Sequence, residues 1–541
     1  LLSDWMTSAK ITQAEYERER QVIQREFDMG RGEPGRIFWK LTQQARYEVH
    51  PARHPTIGYL DEFLTISRDE IYNFYKTMYV PNNMVFVVAG DIDPRRVVEQ
   101  VKQAWAEAEP GELPELAFPV EPELAEPKDV TGHADMSRPR LRLAWPGTRL
   151  TEEHDYALDL LAQVLGQGEL SRLVRTIRNE QQRVTSIDAY NLSFAWGRGF
   201  FGIDAVVTVP PIPEGAQTAA EQWMGKQMDD ARAAILAEVE RVREEGVTVE
   251  ELDRAKSKTM AAIVFNAQTA DAAASRIARD FISMGDPDYL DHYAQAIQKL
   301  TPADLQAAAR AILQDDRLIT VRLLPQSGEP MHMARPQTPA VDYEAKPVEL
   351  DNQRLIRKLA RRAGGADDAR PSQLEPMRMV TLDNGLRVLL QRDTRLPAVA
   401  MRWFQLGGLL ADETGEEGVA NAMCTMMMRG AGERSFDQIA ELLETTGSQL
   451  STQCGNNTFY VSGQALTEHW PTLLELMSDV IHEPTFPADQ WALTQPRLLA
   501  AIDAIDDRWS SQMFSEFNEA YFGEHPWSQT PAGRRDVVEK L

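Results

Sequence analysis

The chain has 541 residues, of which 43% are hydrophobic and 26% are charged, a composition typical of a globular protein of about three or four domains. Its 57 lysines and arginines against 82 aspartates and glutamates give a net charge of −25, which argues against a nucleic-acid partner because phosphate binding needs a clustered basic face. No apolar run reaches the ~18 residues that a transmembrane segment needs. Two cysteines are too few for a disulfide framework or a cysteine-based zinc module.

The first block, to about residue 115, is predicted to be helical and to end in a strand. Thr12 with Glu15 and Ser67 with Glu70 have the spacing of a capping box, so a helix should begin at each. The run "VFVVAG" (85–90) has the pattern of a buried strand. The Pro- and Glu-rich stretch that follows indicates a linker.

The second block, about 125 to 325, alternates strands and helices. The predicted strands are "PRLRLAW" (139–145) and "GFFGIDAVVTV" (199–209). The predicted helices are "DYALDLLAQVLG" (155–166), a long helix over about 215–246, one capped by Thr248 with Glu251, and "TPADLQAAARAIL" (301–313). This order predicts an α+β unit with helices packed on one face of a sheet.

A linker is predicted over 326–375, and a new unit begins after it. Asn384-Gly385 lies between apolar arms in "MVTLDNGLRVLLQRD" (379–393), which predicts a hairpin with a two-residue turn. A strand, "AVAMRWFQLGG" (398–408), and several helices should follow.

An internal repeat connects the two ends of the chain. The segment "FWKLTQQARYEVHP" (38–51) resembles "MFSEFNEAYFGEHP" (513–526), in an alignment that matches His50 with His525. A weak match of this kind predicts a duplicated domain, with the end of one copy near the start of the chain and most of a second copy near its end.

The helix "YERERQVIQREFDMG" (16–30) raises a chemical question. Glu19 and Glu26 are two helical turns apart and therefore lie on one face, close to Val22 and Ile23. If that face is partly buried, the two carboxylates need a metal, an arginine or another partner. The alternative is a solvated helix whose arginines neutralise the glutamates, and spacing alone favours this alternative.

The histidines do not complete a metal site within this sequence. None of the nine lies in His-x-x-Glu-His or His-Glu-x-x-His, and Pro51 and Pro55 make a shared helical face for His50 and His54 implausible. No P-loop and no serine-histidine-aspartate arrangement is present. The residues alone therefore predict a multidomain protein with an acidic helix of undecided role.

Several segments, in order, resemble the pitrilysin/insulinase family of zinc metallopeptidases, known as M16 or inverzincin enzymes. They are "ERERQVIQREFDM", "HPARHPTIGYLDEFLTISRDEIYNFYKTMYVPNNMVFVVAGDID", "LDLLAQVLGQGELSRLVRTIRNEQQ" and "TLDNGLRVLLQRD". The resemblance implies an α+β fold of tandem M16-type (LuxS/MPP-like) domains, with mixed sheets, helices packed on them and two halves forming a clamshell. The implied division is 1–120 for the end of a first, catalytic domain, 125–325 for a second domain, 326–375 for the linker and 376–541 for a third domain. The chain starts without Met and stops inside a predicted helix, so we expect a piece of a longer protein.

The resemblance also implies a zinc site. By residue-by-residue matching, Glu26 is the zinc-ligating glutamate and Glu19 a supporting acidic residue that orients the site. Two histidines and the catalytic glutamate, in a His-x-x-Glu-His helix roughly 70–80 residues before Glu26, would lie upstream of Leu1. Two imidazoles and one carboxylate leave a position of Zn²⁺ open for water, whose proton the catalytic glutamate takes.

The second copy departs from the family pattern. Asn421, Cys424 and Thr425 stand where the family has His, Glu and His. The alignment of His50 with His525 places Ala501 opposite Glu26, with Asp503 two positions further on. Cys424 is expected to pack as a small apolar residue. This copy is therefore predicted to be non-catalytic.

The implied function is a zinc-dependent endopeptidase that encloses and hydrolyses peptides or small unfolded proteins, with the two halves paired in one chain. The alternative is a catalytically inactive family member that acts as a structural, assembly or peptide-binding subunit. The piece alone is expected to be inactive, and a bacterial periplasmic or envelope location is an expectation of the resemblance only. No oligomeric state is assigned.

Overall fold

The computed structural model describes residues 2–115, 117–210, 220–326, 345–347, 375–413, 415–505 and 507–541. The linker predicted over 326–375 lies almost wholly outside the described residues. The first segment is helical, with α1 (Leu2–Thr7), α2 (Gln13–Arg31), α3 (Pro34–Arg46), α4 (Leu60–Phe63), α5 (Arg68–Met78) and α6 (Pro94–Ala104). Both predicted capping boxes are confirmed, at the starts of α2 and α5.

The strand predicted over 85–90 is wrong. The segment forms no ladder with any described residue, and Val85 and Phe86 are 41% and 51% exposed. A single extended segment is not stable as a strand without a neighbour that satisfies its backbone groups. Its apolar composition therefore does not by itself make it part of a sheet.

The second block is built on a five-stranded sheet with the strand order β2-β6-β3-β5-β4, in which β2 and β6 are parallel and the other neighbours antiparallel. Its strands are β2 (Lys128–Ala134), β3 (Arg140–Pro146), β4 (Val184–Leu192), β5 (Phe200–Val207) and β6 (Ile319–Pro325); two short strands, β1 (Ala117–Pro119) and β7 (Ala345–Pro347), pair apart from it. Strands β3 and β5 confirm the two predicted in this block.

The helices of this block follow the predicted order. They are α7 (Asp155–Gly166), α8 (Ala220–Glu245), α9 (Val249–Phe265), α10 (Ala270–Met284), α11 (Tyr289–Lys299) and α12 (Pro302–Ile312), with a π-helical turn at Val174–Glu180. Helix α7 has the predicted bounds, and the capping box of Thr248 with Glu251 is confirmed.

Helices cover both faces of the sheet, so the prediction of a single covered face was incomplete. On one face Leu141, Leu143 and Trp145 pack in a core with α7, α8, α9 and α12. Alternate residues point the other way, and Ala144 packs there with Ile37, Phe38 and Leu41 of α3. A helix of the first segment thus completes the second block, through a contact between distant parts of the sequence that no local pattern reports.

The close approach of α7 to β4 requires glycine at position 166. A Cβ built on Gly166 would lie 2.2 Å from the backbone nitrogen of Ala189. We therefore expect Gly166→Ala to lower the free energy of unfolding by about 1–3 kcal/mol, because backbone must shift to admit the methyl group. Urea denaturation measures this loss. The matched control is Gly225→Ala in α8, where an added Cβ meets nothing within 4 Å. The higher helix propensity of alanine should raise the stability of this variant by up to about 1 kcal/mol. Equal effects of the two substitutions would contradict the packing argument.

Two carboxylates lie together where α7, α11 and β4 meet. The side-chain amide of Asn191 donates to Oδ1 of both Asp155, at 3.0 Å, and Asp159, at 2.9 Å. Burial raises the pKa of Asp159 to about 7, more than its hydrogen bonds lower it. Its carboxyl group is therefore mainly protonated in the folded state below about pH 7.

Since Asp159 has a folded pKa above its unfolded value of about 4, the folded state holds the extra proton between these two values. We expect its contribution to stability to fall by roughly 1.4 kcal/mol per pH unit as the pH rises from about 4 to about 7, and then to level off. Urea midpoints at pH 5 and pH 8 measure the effect, and Asp159→Asn should remove it. Asp291→Asn, at an exposed position on α11, is the control; an unchanged pH dependence in Asp159→Asn would refute the prediction.

The third unit has the antiparallel strand order β10-β14-β13. Its elements are β8 (Arg378–Thr381), β9 (Arg387–Leu390), β10 (Ala398–Leu406), α13 (Val419–Met427), β11 (Gly430–Ala431), β12 (Arg434–Ser435), α14 (Phe436–Thr446), β13 (Gln449–Cys454), β14 (Thr458–Leu466), α15 (Trp470–His482), α16 (Ala488–Asp503), α17 (Trp509–Phe522) and α18 (Arg535–Val538). Met427, Ile439, Val461 and Leu476 form the centre of its core, between the sheet and helices α13 to α15.

The predicted hairpin is confirmed as β8 and β9, but its turn is one residue longer than expected. Leu382 pairs with Leu386 through a 2.8 Å backbone hydrogen bond, which leaves a three-residue loop, Asp383-Asn384-Gly385. Only Gly385 of these residues has a positive φ, +87°, whereas the predicted type I′ turn needs positive φ at two consecutive residues. The glycine therefore serves as the left-handed residue that closes a three-residue loop.

Within the described residues, every helix is too short or too polar to span a lipid bilayer.

Candidate functional site

Helix α2 rests on the segment that contains α4. The Tyr16 hydroxyl donates to the Ile66 carbonyl at 2.6 Å, Arg20 donates to the Leu64 carbonyl at 2.6 Å, and the rings of Phe27 and Phe63 are 5.6 Å apart. Tyr16, Arg20 and Phe27 follow helical spacing and therefore define the packed side of the helix. Even so, α2 contains no buried residue.

Glu19 and Glu26 lie together on the flank of that packed side, as their two-turn spacing predicts. Both are exposed: the side chain of Glu19 is 57% exposed and accepts a hydrogen bond from Arg18 Nε at 3.0 Å. The carboxylate of Glu26 has no hydrogen-bond or ion-pair partner within the described part of the chain. This face is therefore not buried in this structure, where Val22 is 36% exposed, in agreement with the alternative of a solvated helix.

The other glutamates of the helix have local partners. Glu15 accepts hydrogen bonds from the backbone and hydroxyl of Thr12, both at 2.8 Å, and these bonds lower its pKa. Glu17 accepts from Gln13 at 2.9 Å. Glu26 differs from them because both of its oxygens remain available to a ligand.

The internal repeat is reproduced in the secondary structure and in one capping contact. The alignment that matches His50 with His525 also matches the first residues of α2 and α16, Gln13 and Ala488, and those of α3 and α17, Pro34 and Trp509. In each copy the histidine then caps a 3-10 turn: His50 accepts from the Ala52 amide at 3.1 Å, and His525 accepts from the Trp527 amide at 3.2 Å. The two copies therefore share one register over this region, without insertion.

The alignment of the two copies identifies the residues of the second copy that correspond to Glu19 and Glu26. Thr494, which is 1% exposed, lies opposite Glu19, and Ala501 lies opposite Glu26. Asp503, considered from sequence as an alternative with a slipped register, instead pairs with Arg138 at 3.0 Å and with Arg535. Neither carboxylate of α2 thus has an acidic counterpart at the matching position of α16.

The segment Asn421-Ala422-Met423-Cys424-Thr425 lies within α13, which packs against α16 and β13. Cys424 is 3% exposed, which confirms its predicted role as a small buried residue. The Thr425 hydroxyl donates to the Asn421 carbonyl within the helix at 2.9 Å. These side chains serve packing and local hydrogen bonding.

Comparison with known families decides the identity of the chain. The model of the "Peptidase M16 inactive domain" matches residues 65–259, and that of "Insulinase (Peptidase family M16)" matches residues 387–533. The chain belongs to peptidase family M16. The predicted family and the predicted α+β, M16-type fold class are thereby confirmed.

Individual M16 relatives agree with this assignment. An uncharacterised zinc protease of Streptomyces coelicolor is 26% identical over 320 residues, which cover 58% of this chain and 66% of that protein. The probable zinc protease PqqL of Escherichia coli is 21% identical over 97% of this chain and 57% of that protein. A crystal structure of a protease from Helicobacter pylori has a TM-score of 0.51, with 23% identity, over 60% of this chain and 75% of that chain. The chain thus spans just under two thirds of the Streptomyces protein and little more than half of PqqL.

Relatives named as zinc proteases imply a zinc ion in M16 proteins of this type. Glu26 fits one position of such a site, because an exposed, unpaired carboxylate is a normal zinc ligand. Among the residues that the structure describes, no three His, Cys, Asp or Glu side chains gather closely enough to hold a metal ion. Glu26 as ligand and Glu19 as supporting residue remain predictions.

A contact between the second block and the third unit was not predicted from sequence. The turn after α7 contains Gly168, with φ +109°, and the backbone amide of Leu170 in this turn donates to Glu444 of α14 at 3.2 Å. Arg172 holds the turn from the other side through two 2.7 Å hydrogen bonds to Glu251. The partners are 274 and 79 positions apart, so only the folded chain shows that the Gly-rich turn joins two units.

Proposed function

We propose that this chain is part of a zinc-dependent metalloendopeptidase that hydrolyses peptides or small unfolded proteins, and that its catalytic half is the one that contains α2. The observation that carries the proposal is the asymmetry between the two copies. In the first copy Glu19 and Glu26 face solvent on one side of a helix, and in the second copy Thr494 and Ala501 occupy the same positions. Because the second copy forms the corresponding helix without either carboxylate, the two glutamates are not needed for the helix that both copies share.

The second copy also indicates where in the sequence the two expected histidine ligands of the first copy should lie. Asn421 and Thr425 stand where the family has its histidines, and both precede Ala501 in the same copy. Because Ala501 corresponds to Glu26, the shared register puts the counterparts of Asn421 and Thr425 upstream of Leu1. We place the His-x-x-Glu-His helix there in the gene product that contains this chain, packed against α2 as α13 packs against α16.

A zinc ion, once bound, would activate a water molecule for attack on a peptide carbonyl. The residues of this chain would act around it. Glu26 would supply one anionic oxygen ligand, and Glu19, two turns earlier on the same face, would add negative charge that favours a cation there. Helix α2 holds both side chains in place through Tyr16, Arg20 and Phe27.

The enclosing, two-half arrangement is part of the proposal. Strands β10 and β13 are the outer strands of the third unit's sheet. Neither has a second neighbouring strand among the described residues, so an extended peptide could add to either edge through main-chain hydrogen bonds. The two halves would pair within one chain, and a bacterial envelope location stays a prediction from family resemblance.

The test is hydrolysis by the purified gene product that contains this chain. We expect it to cleave unstructured peptides, to lose the activity on chelation and to regain it with zinc, while leaving folded proteins of similar size intact. The alternative, an inactive structural or peptide-binding subunit, agrees with the "inactive domain" description of the match over 65–259. This alternative predicts that the gene product binds peptides without cleaving them and contains no zinc. That result would refute our proposal in favour of the alternative.

A further inference from the structure

The two cysteines of the chain come together in the third unit. Cys424 lies in α13 and Cys454 is the last residue of β13, and the helix packs against this strand. The hydroxyl of Thr452 donates to the backbone carbonyl of Cys424 at 2.5 Å, which fixes the helix over the end of the strand. The two cysteines are brought near each other by the fold, because they belong to different elements and α14 lies between these elements in the chain.

Strand alternation directs Cys454 toward Cys424. Leu450, Thr452 and Cys454 are partly buried, whereas the residues between them are exposed, so these three share the face that α13 covers. Thr452 contacts the backbone of Cys424, and Cys454 is the next residue on that face. The Cys454 thiol donates to the Gly455 carbonyl at 3.7 Å, and it lies close enough to the Cys424 thiol for each to shift the pKa of the other.

The two thiols differ in access and in acidity. Cys424 is 3% exposed, and its interaction with the Cys454 thiol, together with burial, raises its pKa. Cys454 is only partly buried, and its interaction with the Cys424 thiol lowers its pKa below the ordinary value for a thiol. An accessible thiol that deprotonates more readily is suited to attack an external disulfide, and a buried neighbour is suited to complete the exchange.

We propose that Cys424 and Cys454 form a reversible intramolecular disulfide. The Cys454 thiolate attacks a small-molecule or protein disulfide, forms a mixed disulfide and releases one thiolate of the oxidant. The Cys424 sulfur, on loss of its proton, then attacks the Cys454 sulfur and releases the second thiolate. In total the two cysteines lose two electrons and two protons, and the oxidant disulfide is reduced to two thiols.

The bond would join the end of β13 to the middle of α13 and close the loop between them. Such a crosslink limits the unfolded state and stabilises the fold around it. This inference does not depend on the proposed peptidase activity, because it concerns only the third unit.

The test treats the protein with oxidised glutathione and counts free thiols by alkylation after denaturation, with intact mass as a second readout. We expect two thiols in the reduced protein and none after oxidation, a mass lower by two hydrogens, no change in oligomeric state, and a melting temperature higher by roughly 5–10 °C. An intermolecular disulfide, or two thiols that stay free, would overturn the proposal.

Single substitutions separate the roles of the two sulfurs. In Cys424→Ala we expect a stable mixed disulfide of glutathione with Cys454, an adduct that the unmodified protein resolves and does not accumulate. In Cys454→Ala we expect glutathione to modify the buried Cys424 at least about 10-fold more slowly. Equal rates of modification in the two variants would contradict the assigned order of attack, and circular dichroism checks that both variants remain folded.

Discussion

Replacing Glu26 with glutamine should remove zinc binding and peptide hydrolysis together from the gene product that contains this chain. The neutral amide occupies almost the same volume as the carboxylate but loses the negative charge that zinc prefers in an oxygen ligand. We expect activity to fall by at least ~100-fold, since even substitutions behind the ligands of metal sites cost ~10–100-fold. The stability of the zinc-free protein should be unchanged, because Glu26 is exposed and has no partner among the described residues.

Glu17→Gln is the matched control, since it makes the same chemical change on the same helix at a residue whose hydrogen-bond partner among the described residues is Gln13. Zinc content by elemental analysis and hydrolysis of an unstructured peptide should be normal in this variant. Glu19→Gln should be intermediate, with a loss of roughly 10–100-fold. Full zinc content and full activity in Glu26→Gln would show that another residue is the ligand.

The largest effect on stability is expected at Arg142, the point where the first segment is joined to the sheet. Its guanidinium donates to both oxygens of Asp204, at 2.6 and 2.5 Å, and to the hydroxyl of Thr42 in α3 at 2.9 Å. It also lies 4.4 Å from the centre of the Phe38 ring. Arg142 is 7% exposed, so Arg142→Met should cost about 3–5 kcal/mol by leaving Asp204 and Thr42 without this partner.

Urea denaturation measures the loss, and Arg395→Met is the control. Arg395 also forms a two-oxygen pair, with Asp393, but its side chain is 61% exposed, so its removal should cost less than about 1 kcal/mol. The double variant Arg142→Met/Asp204→Leu should recover part of the stability, because the unpaired carboxylate is then absent. A loss below about 1 kcal/mol in Arg142→Met would mean that the polar contacts of Arg142 contribute little to holding α3 on the sheet.

The features predicted well from sequence depend on neighbouring residues. The capping boxes at Thr12 and Thr248 each need partners only three positions apart, and the apolar pattern of 155–166 defines α7 without reference to the rest of the chain. The hairpin at Asn384-Gly385 was predicted for the same reason, although its exact turn depends on which of the two residues adopts a positive φ.

The features that sequence did not predict depend on distant partners. The pattern of 85–90 is that of a strand, but a strand also needs a neighbour, and none lies beside it in the described residues. The docking of α3 on the sheet and the Arg142–Asp204 pair join segments 62 or more positions apart. Likewise, the spacing of Glu19 and Glu26 correctly indicated a common face but could not indicate its exposure, which the packing of Tyr16, Arg20 and Phe27 determines.

The most direct measurement is the position of the metal in a crystal of the gene product that contains this chain. Anomalous scattering at the zinc edge should show one peak about 2.0–2.2 Å from a carboxylate oxygen of Glu26, and no peak beside Ala501 in the second copy. A zinc peak remote from Glu26, or none in protein that hydrolyses peptides, would contradict the assignment of α2 as the ligand-bearing helix.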